Sequence, residues 1–145
     1  MLLAPAMNLD TVTPEIFGAS LTGFGLNLLV RDTEAQAAFL EWVFAMKKHR
    51  VSSDYAIVTY HGHILQLHAD HTYAANPLLA IAAGQASRGA GAEFRLYQTD
   101  PDAAAARAHD IGAMVLQAPT DKPHGLREAY ILCPNGYAWV PSRPR

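Results

Sequence analysis

Gly25-Leu26-Asn27-Leu28-Leu29-Val30-Arg31-Asp32, followed by Thr33-Glu34-Ala35-Gln36, returns 68 positions later as Glu93-Phe94-Arg95-Leu96-Tyr97-Gln98-Thr99-Asp100, followed by Pro101-Asp102-Ala103-Ala104. No gap is needed to align them. Each copy reads as a strand ending in an aspartate, a side chain that accepts from the free N–H groups of a helix's first turn. The register continues to pair Ala45-Met46 with Ala113-Met114, and Tyr60-His61-Gly62 then matches Pro134-Asn135-Gly136 at a shift of 74. Capping aspartate, helix length and glycine turn recur in one order, which predicts an internal duplication. Two small sheets side by side would create a cleft that one alone lacks.

Working outward from the first copy, a strand over residues 25–30 leads into a helix of roughly 13 residues, with Phe39, Trp42, Val43 and Met46 at helical spacing on a core-facing side. A polar stretch over residues 47–54 precedes strands at 55–60 and 64–68, with a turn at His61-Gly62. The second copy has a strand at 93–98, an alanine-rich helix stopping near Gly112, strands at 115–118, 129–132 and 137–140, and a polar loop at 119–125. The second copy reads as βαβββ, and the duplication predicts the same unit for the first, although only two strands are assigned after its helix. Between them a connector holds a second cap-plus-proline start, Asn76-Pro77, and ends in the hinge Arg88-Gly89-Ala90-Gly91. Residues 1–20 form an extension whose Thr13-Pro14-Glu15 predicts a short helix. The chain is therefore read as that extension plus one domain, 21–145, made of modules 24–70 and 92–142.

At 145 residues, half of them hydrophobic and 17% charged, the chain has the makings of a packed core. A net charge of -2 offers no basic field for phosphate backbones, so nucleic acid is not an expected partner. The lone Cys133 excludes an intrachain disulfide framework and fits a reducing compartment, making cytoplasm the expected location. Met1-Leu2-Leu3-Ala4-Pro5-Ala6-Met7 has no basic flank and is too short for a signal peptide or membrane span, so no membrane partner is expected.

The strand–Val30-Arg31-Asp32–helix opening with Phe39-Leu40-Glu41-Trp42-Val43-Phe44-Ala45-Met46, the Gly91-Ala92-Glu93-Phe94 strand, the Gly125-Leu126-Arg127-Glu128 run and the closing Cys133-Pro134-Asn135-Gly136 resemble the glyoxalase/bleomycin-resistance/dioxygenase group of the vicinal-oxygen-chelate superfamily. The resemblance spans about residues 24–142. It implies an α+β fold in which paired βαβββ modules form a curved mixed-sheet cup, and a homodimer. It leaves open whether the modules pair within a chain or are exchanged between chains.

Metal-dependent members of that group place ligands at four strand positions, which the resemblance carries onto Gly25, Gln66, Glu93 and Val140. Glycine and valine offer no donor, and two oxygen donors fall short of the three protein ligands a catalytic divalent ion ordinarily needs. No metal or other cofactor is expected beyond a weakly held divalent ion. The loop position where the group often has an aromatic is His124, and Cys133 stands where aspartate is common.

Four of the seven histidines fall in the segment from His61 to His71, where period-two alternation puts Gln66 and His68 on one strand face. The same alternation groups Glu93, Arg95 and Tyr97, on the face equivalent to Asn27. A carboxylate in a half-apolar cup could have a raised pKa, which makes Glu93 the candidate catalytic base; the plainer alternative is an ion pair with Arg95. Arg127-Glu128 reads as a surface ion pair. The ligand-binding set is then Asn27, Tyr60, Gln66, His68, Glu93, Arg95, Tyr97 and Trp139, aromatic and polar in the mixture that suits a small flat molecule. The function expected is metal-free binding or sequestration of a small aromatic or amphipathic molecule, as in antibiotic resistance. The alternative is a glyoxalase-like lyase or isomerase using Glu93 or His68.

Overall fold

Helices begin where the sequence supplies a capping oxygen. Thr13 accepts from Ile16 N at 3.2 Å and opens α1 (Pro14–Ser20). Asp32 accepts from Ala35 N at 3.0 Å and opens α2 (Thr33–Phe44), which ends at Ala45 in the left-handed region. Asn76 accepts from Leu78 N at 2.9 Å ahead of α3 (Pro77–Ala82), and Asp100 accepts from Asp102 N and Ala103 N ahead of α4 (Pro101–Asp110). The computed structural model describes residues 7–145, so the first six residues of the expected extension lie outside it.

The strands are β1 (Asn27–Val30), β2 (Lys47–His49), β3 (Tyr55–Tyr60), β4 (His63–Ala69), β5 (Glu93–Leu96), β6 (Met114–Asp121), β7 (Leu126–Leu132) and β8 (Ala138–Pro144). They form two four-stranded mixed sheets, ordered β1-β4-β3-β2 and β5-β8-β7-β6. In each, the first strand of the module runs parallel to the last and the rest are antiparallel. The repeat read from the sequence is thus a repeat of topology, and the fold is α+β.

Among the boundaries that differ from expectation, two fall in polar sequence. A strand, β2, forms inside the polar stretch at 47–54, and β6 runs on to Asp121 through part of the expected polar loop. Both are edge strands, with one side open to water, where lysine, threonine and aspartate cost little and guard against unwanted pairing.

The chain divides into two compact units, one comprising residues up to Glu41 with Ala45–Ala82, the other Trp42–Phe44 with Ala83–Arg145. In the first unit, one sheet face carries Leu28, Val30, Ala56, Val58, Leu65 and Leu67, all buried, and Lys48 on that face bridges Glu41 of α2 at 3.2 Å. The other face carries Tyr55, Ile57, Ile64, Gln66 and His68. Leu9 and Phe17, from the N-terminal segment, are 4% and 6% exposed and pack on Ile57 and Ile64. Arg50 fastens that segment, donating from Nε to Leu9 O at 2.8 Å and from Nη2 to Val12 O, while its backbone N–H reaches Asp10.

In the second unit Trp139 packs against Phe94 and Phe44 with ring centroids 5.1 and 6.1 Å apart. That face is the helical side: α4 lies on β6, β7 and β8, and its Asp102 receives Arg127 at 2.8 and 2.9 Å. Trp42 was expected in the helix core. It is 53% exposed, because the last turn of α2 directs Phe44 inward and leaves the Trp42 indole to donate to Arg107 O at 3.3 Å.

Candidate functional site

Register places equivalent residues on equivalent rungs. Asn27 faces Gln66 across β1 and β4, and Arg95 faces Val140 across β5 and β8. The 68- and 74-residue shifts are therefore physical, and each unit has its own cluster around that rung.

In the first unit Tyr55 donates to Gln66 Oε1 at 2.7 Å. The His68 ring lies 5.2 Å from both Tyr55 and Tyr73. Burial against these rings disfavours the imidazolium and lowers the His68 pKa, so the ring is neutral at pH 7, and its buried Nε2 has no hydrogen-bond partner among the described residues. Desolvation likewise pushes the Tyr55 phenol up to about 12. Asn27 is exposed at the start of β1 on this face. Tyr60 does not join it: Ile57 pairs with Gln66, so three residues on, Tyr60 points to the opposite side and packs edge-on against His61. Tyr55, two residues before Ile57, holds the place expected of Tyr60.

The second unit gathers Glu93, Arg95, Glu128 and Tyr130. Arg95 donates to Glu93 at 3.1 Å and to Glu128, and Tyr130 donates to Glu93. Tyr97, 60% exposed, lies with its ring centroid 5.8 Å from the Arg95 guanidinium carbon. His124 Nε2 is 3.9 Å from Glu128. The Tyr130 hydroxyl, then Arg95, hold the Glu93 carboxyl below its usual range, opposite to the raised pKa expected of a catalytic base. The bond to the Glu93 carboxylate in turn raises the Tyr130 phenol.

Trp139 was expected to line the ligand surface. At 1% exposure it belongs to the core, because the parity that puts Arg95 and Val140 on the polar side sends Phe94 and Trp139 to the helical side. Adjacency in sequence suggests a surface pair of Glu128 with Arg127; alternation instead turns Arg127 to α4 and buries Glu128 to 3% beside Arg95. Period-two counting from Tyr130 would have grouped Glu128 with it.

The residues present do not fit the metal site of the fold family. Gly25 and Val140 supply no donor, Gln66 Oε1 already accepts from Tyr55, and Glu93 is engaged by Tyr130 and Arg95. A divalent cation bound beside Val140 would face the Arg95 guanidinium. Among the described residues no group of three or more His, Cys, Asp or Glu side chains is placed to hold a metal ion.

No protein-family model matches the sequence, and no curated protein matches it. Solved structures do match. A glyoxalase/bleomycin resistance protein/dioxygenase family enzyme from Burkholderia phytofirmans PsJN is 18% identical with a TM-score of 0.69, over 83% of this chain and 96% of that one. A glyoxalase/bleomycin resistance protein/dioxygenase from Nocardioides is 20% identical with a TM-score of 0.63, over 90% and 91%. The fosfomycin resistance protein FosX from Listeria monocytogenes is 13% identical with a TM-score of 0.65, over 86% and 95%. This chain has the glyoxalase/bleomycin-resistance fold, the fold of the vicinal-oxygen-chelate superfamily. No helix among the described residues is long and apolar enough to cross a membrane.

Proposed function

We propose that this protein binds a small aromatic or amphipathic molecule through side chains alone, without a resident metal. One observation carries the reading. At the positions where the fold family holds its ion, the residues are donor-free or already paired, and Arg95 supplies a fixed positive charge on the Val140 rung. Binding needs no Lewis acid, and each unit presents its own cluster of aromatic and polar side chains, Tyr55, Gln66 and His68 in the first, and Tyr130 with an arginine shared by two carboxylates in the second. Because one structural neighbour is described as a fosfomycin resistance protein, antibiotics belong among the ligands to test. Homodimerisation and a cytoplasmic location are part of the proposal; light scattering on the purified protein tests the former.

The experiment is elemental analysis of the purified protein combined with a thermal-shift screen of aromatic and amphipathic molecules, antibiotics included. We expect no stoichiometric metal, no effect of EDTA, and a melting temperature raised by at least one ligand, the rise growing with the logarithm of ligand concentration above its Kd. Stoichiometric zinc, nickel, iron or manganese, or a screen with no response, would overturn it.

A second reading, a metal-free lyase or isomerase, is favoured by His68, whose neutral imidazole and unpaired Nε2 suit a proton acceptor better than the ionised, paired Glu93. Turnover of the methylglyoxal–glutathione hemithioacetal, lost in His68→Gln, would establish it.

A further inference from the structure

We infer that the first unit contains a half-open cleft, with residues 21–26 as one wall and Ile64 and Gln66 as the other, and that its ligand is a neutral aromatic ring carrying a hydrogen-bond acceptor such as an aryl carbonyl. The inference deepens the binding reading above and rests on it.

The N-terminal segment builds one wall. Leu9 and Phe17 are pinned on Ile57 and Ile64, and Leu21, the residue that ends α1 by donating its backbone N–H to Gly18 O, packs against the same cluster. The chain then runs past Ile64 and Gln66 into Gly25 and leaves a cleft of about 150 Å³, open to solvent on one side. That volume is enough to seat a benzene-sized ring against the two walls.

The polar requirement follows from Gln66. Its Oε1 already accepts the Tyr55 hydroxyl at 2.7 Å, which leaves the Nε2 group as the donor that this side chain offers to the cleft. An amide N–H donor selects an acceptor. No charged side chain lines this cleft among the described residues, so it favours a neutral molecule over an ion.

The test uses the full chain, with isotope-labelled methyl and amide NMR and two probes: benzamide and toluene. Benzamide is expected to shift the Leu21 and Ile64 methyl signals saturably, with toluene about fivefold weaker for want of one neutral hydrogen bond. Gln66→Leu should abolish that difference. Gly25→Leu adds bulk to the cleft lining and should weaken benzamide binding, and a Cβ at Gly25 meets nothing within 4 Å, so the backbone has room for it. Benzamide binding unchanged by both Gln66→Leu and Gly25→Leu would overturn the cleft. Shifts confined to Glu93, Arg95 and Tyr130 would overturn it while leaving the general binding reading intact. Silence of both probes would overturn it too, with that reading then resting on the wider thermal-shift screen.

Discussion

Arg95 on β5 reaches across to Glu128 on β7, a carboxylate only 3% exposed, and the pair stands 33 residues apart in the chain. The same guanidinium also holds Glu93, so one cation is shared between two carboxylates on the polar face of the second sheet. Glu128 is stable there because it is paired; without Arg95 it would be a buried charge facing His124 alone.

Arg95→Met is therefore expected to lower stability by about 3 kcal/mol, and Arg95→Met with Glu128→Leu to recover most of it, since the penalty belongs to the orphaned carboxylate. Urea unfolding of the four members of the cycle measures this. A double variant as unstable as the single one would refute the account.

Gly136 has φ +81, and a Cβ there would collide with Ala86 O and Ser87 Cα and come within 2.8 Å of Arg88 N. The connector crosses the β7–β8 turn at this point, with Gly89 N–H donating to Gly136 O at 3.1 Å. Gly112 has a similar φ of +71 but open space around it. Gly112→Ala should cost about 1–2 kcal/mol from backbone strain alone, and Gly136→Ala clearly more, because overpacking adds about 1–3 kcal/mol. Equal midpoints in denaturant would show that the connector yields freely.

His68 gives stability a pH dependence of known sign. Burial lowers its pKa below the ordinary 6.5, so the folded state binds its proton less readily than the unfolded chain does. The contribution is whole above about pH 6.5 and is lost as the pH falls from there through the folded-state pKa. Wild type should lose stability between pH 7.5 and 5 more steeply than His68→Gln. In an NMR titration the His68 ring should protonate only below the ordinary 6.5; protonation at or above that value would contradict it.

Arg50 holds the N-terminal segment through its bonds to Leu9 O and Val12 O, itself in the left-handed region at φ 53. Arg50→Ala should cost about 1–2 kcal/mol by losing the charged donor and speed proteolysis before Leu21. Arg50→Gly tests whether strain matters, because glycine adopts that φ freely and loses the same bonds. Should the alanine variant resist protease like wild type, Leu9 and Phe17 alone hold the segment.

Thr13, Asp32, Asn76 and Asp100 could be read as helix starts because a cap is a bond between residues two or three apart. The grouping of Gln66 with His68 and of Glu93 with Arg95 was equally accessible, since alternation fixes which residues share a face. Tyr60, Trp139 and Glu128 were misplaced for one reason. Alternation says that two residues lie on the same side without saying which side a helix will cover, and it gives no phase between strands until they pair.

Local order therefore belonged to the sequence alone: the duplicated strand–cap–helix, the turn glycines, and the absence of donors at Gly25 and Val140, all decided by side-chain chemistry over a few bonds. Tertiary structure decided what pairs across long separations. It laid Leu9 and Phe17 on Ile57 and Ile64, buried Glu128 against Arg95, and sent Trp139 to the helical side. These outcomes depend on strand register and on which apolar face finds cover, quantities that exist only once the sheets have formed.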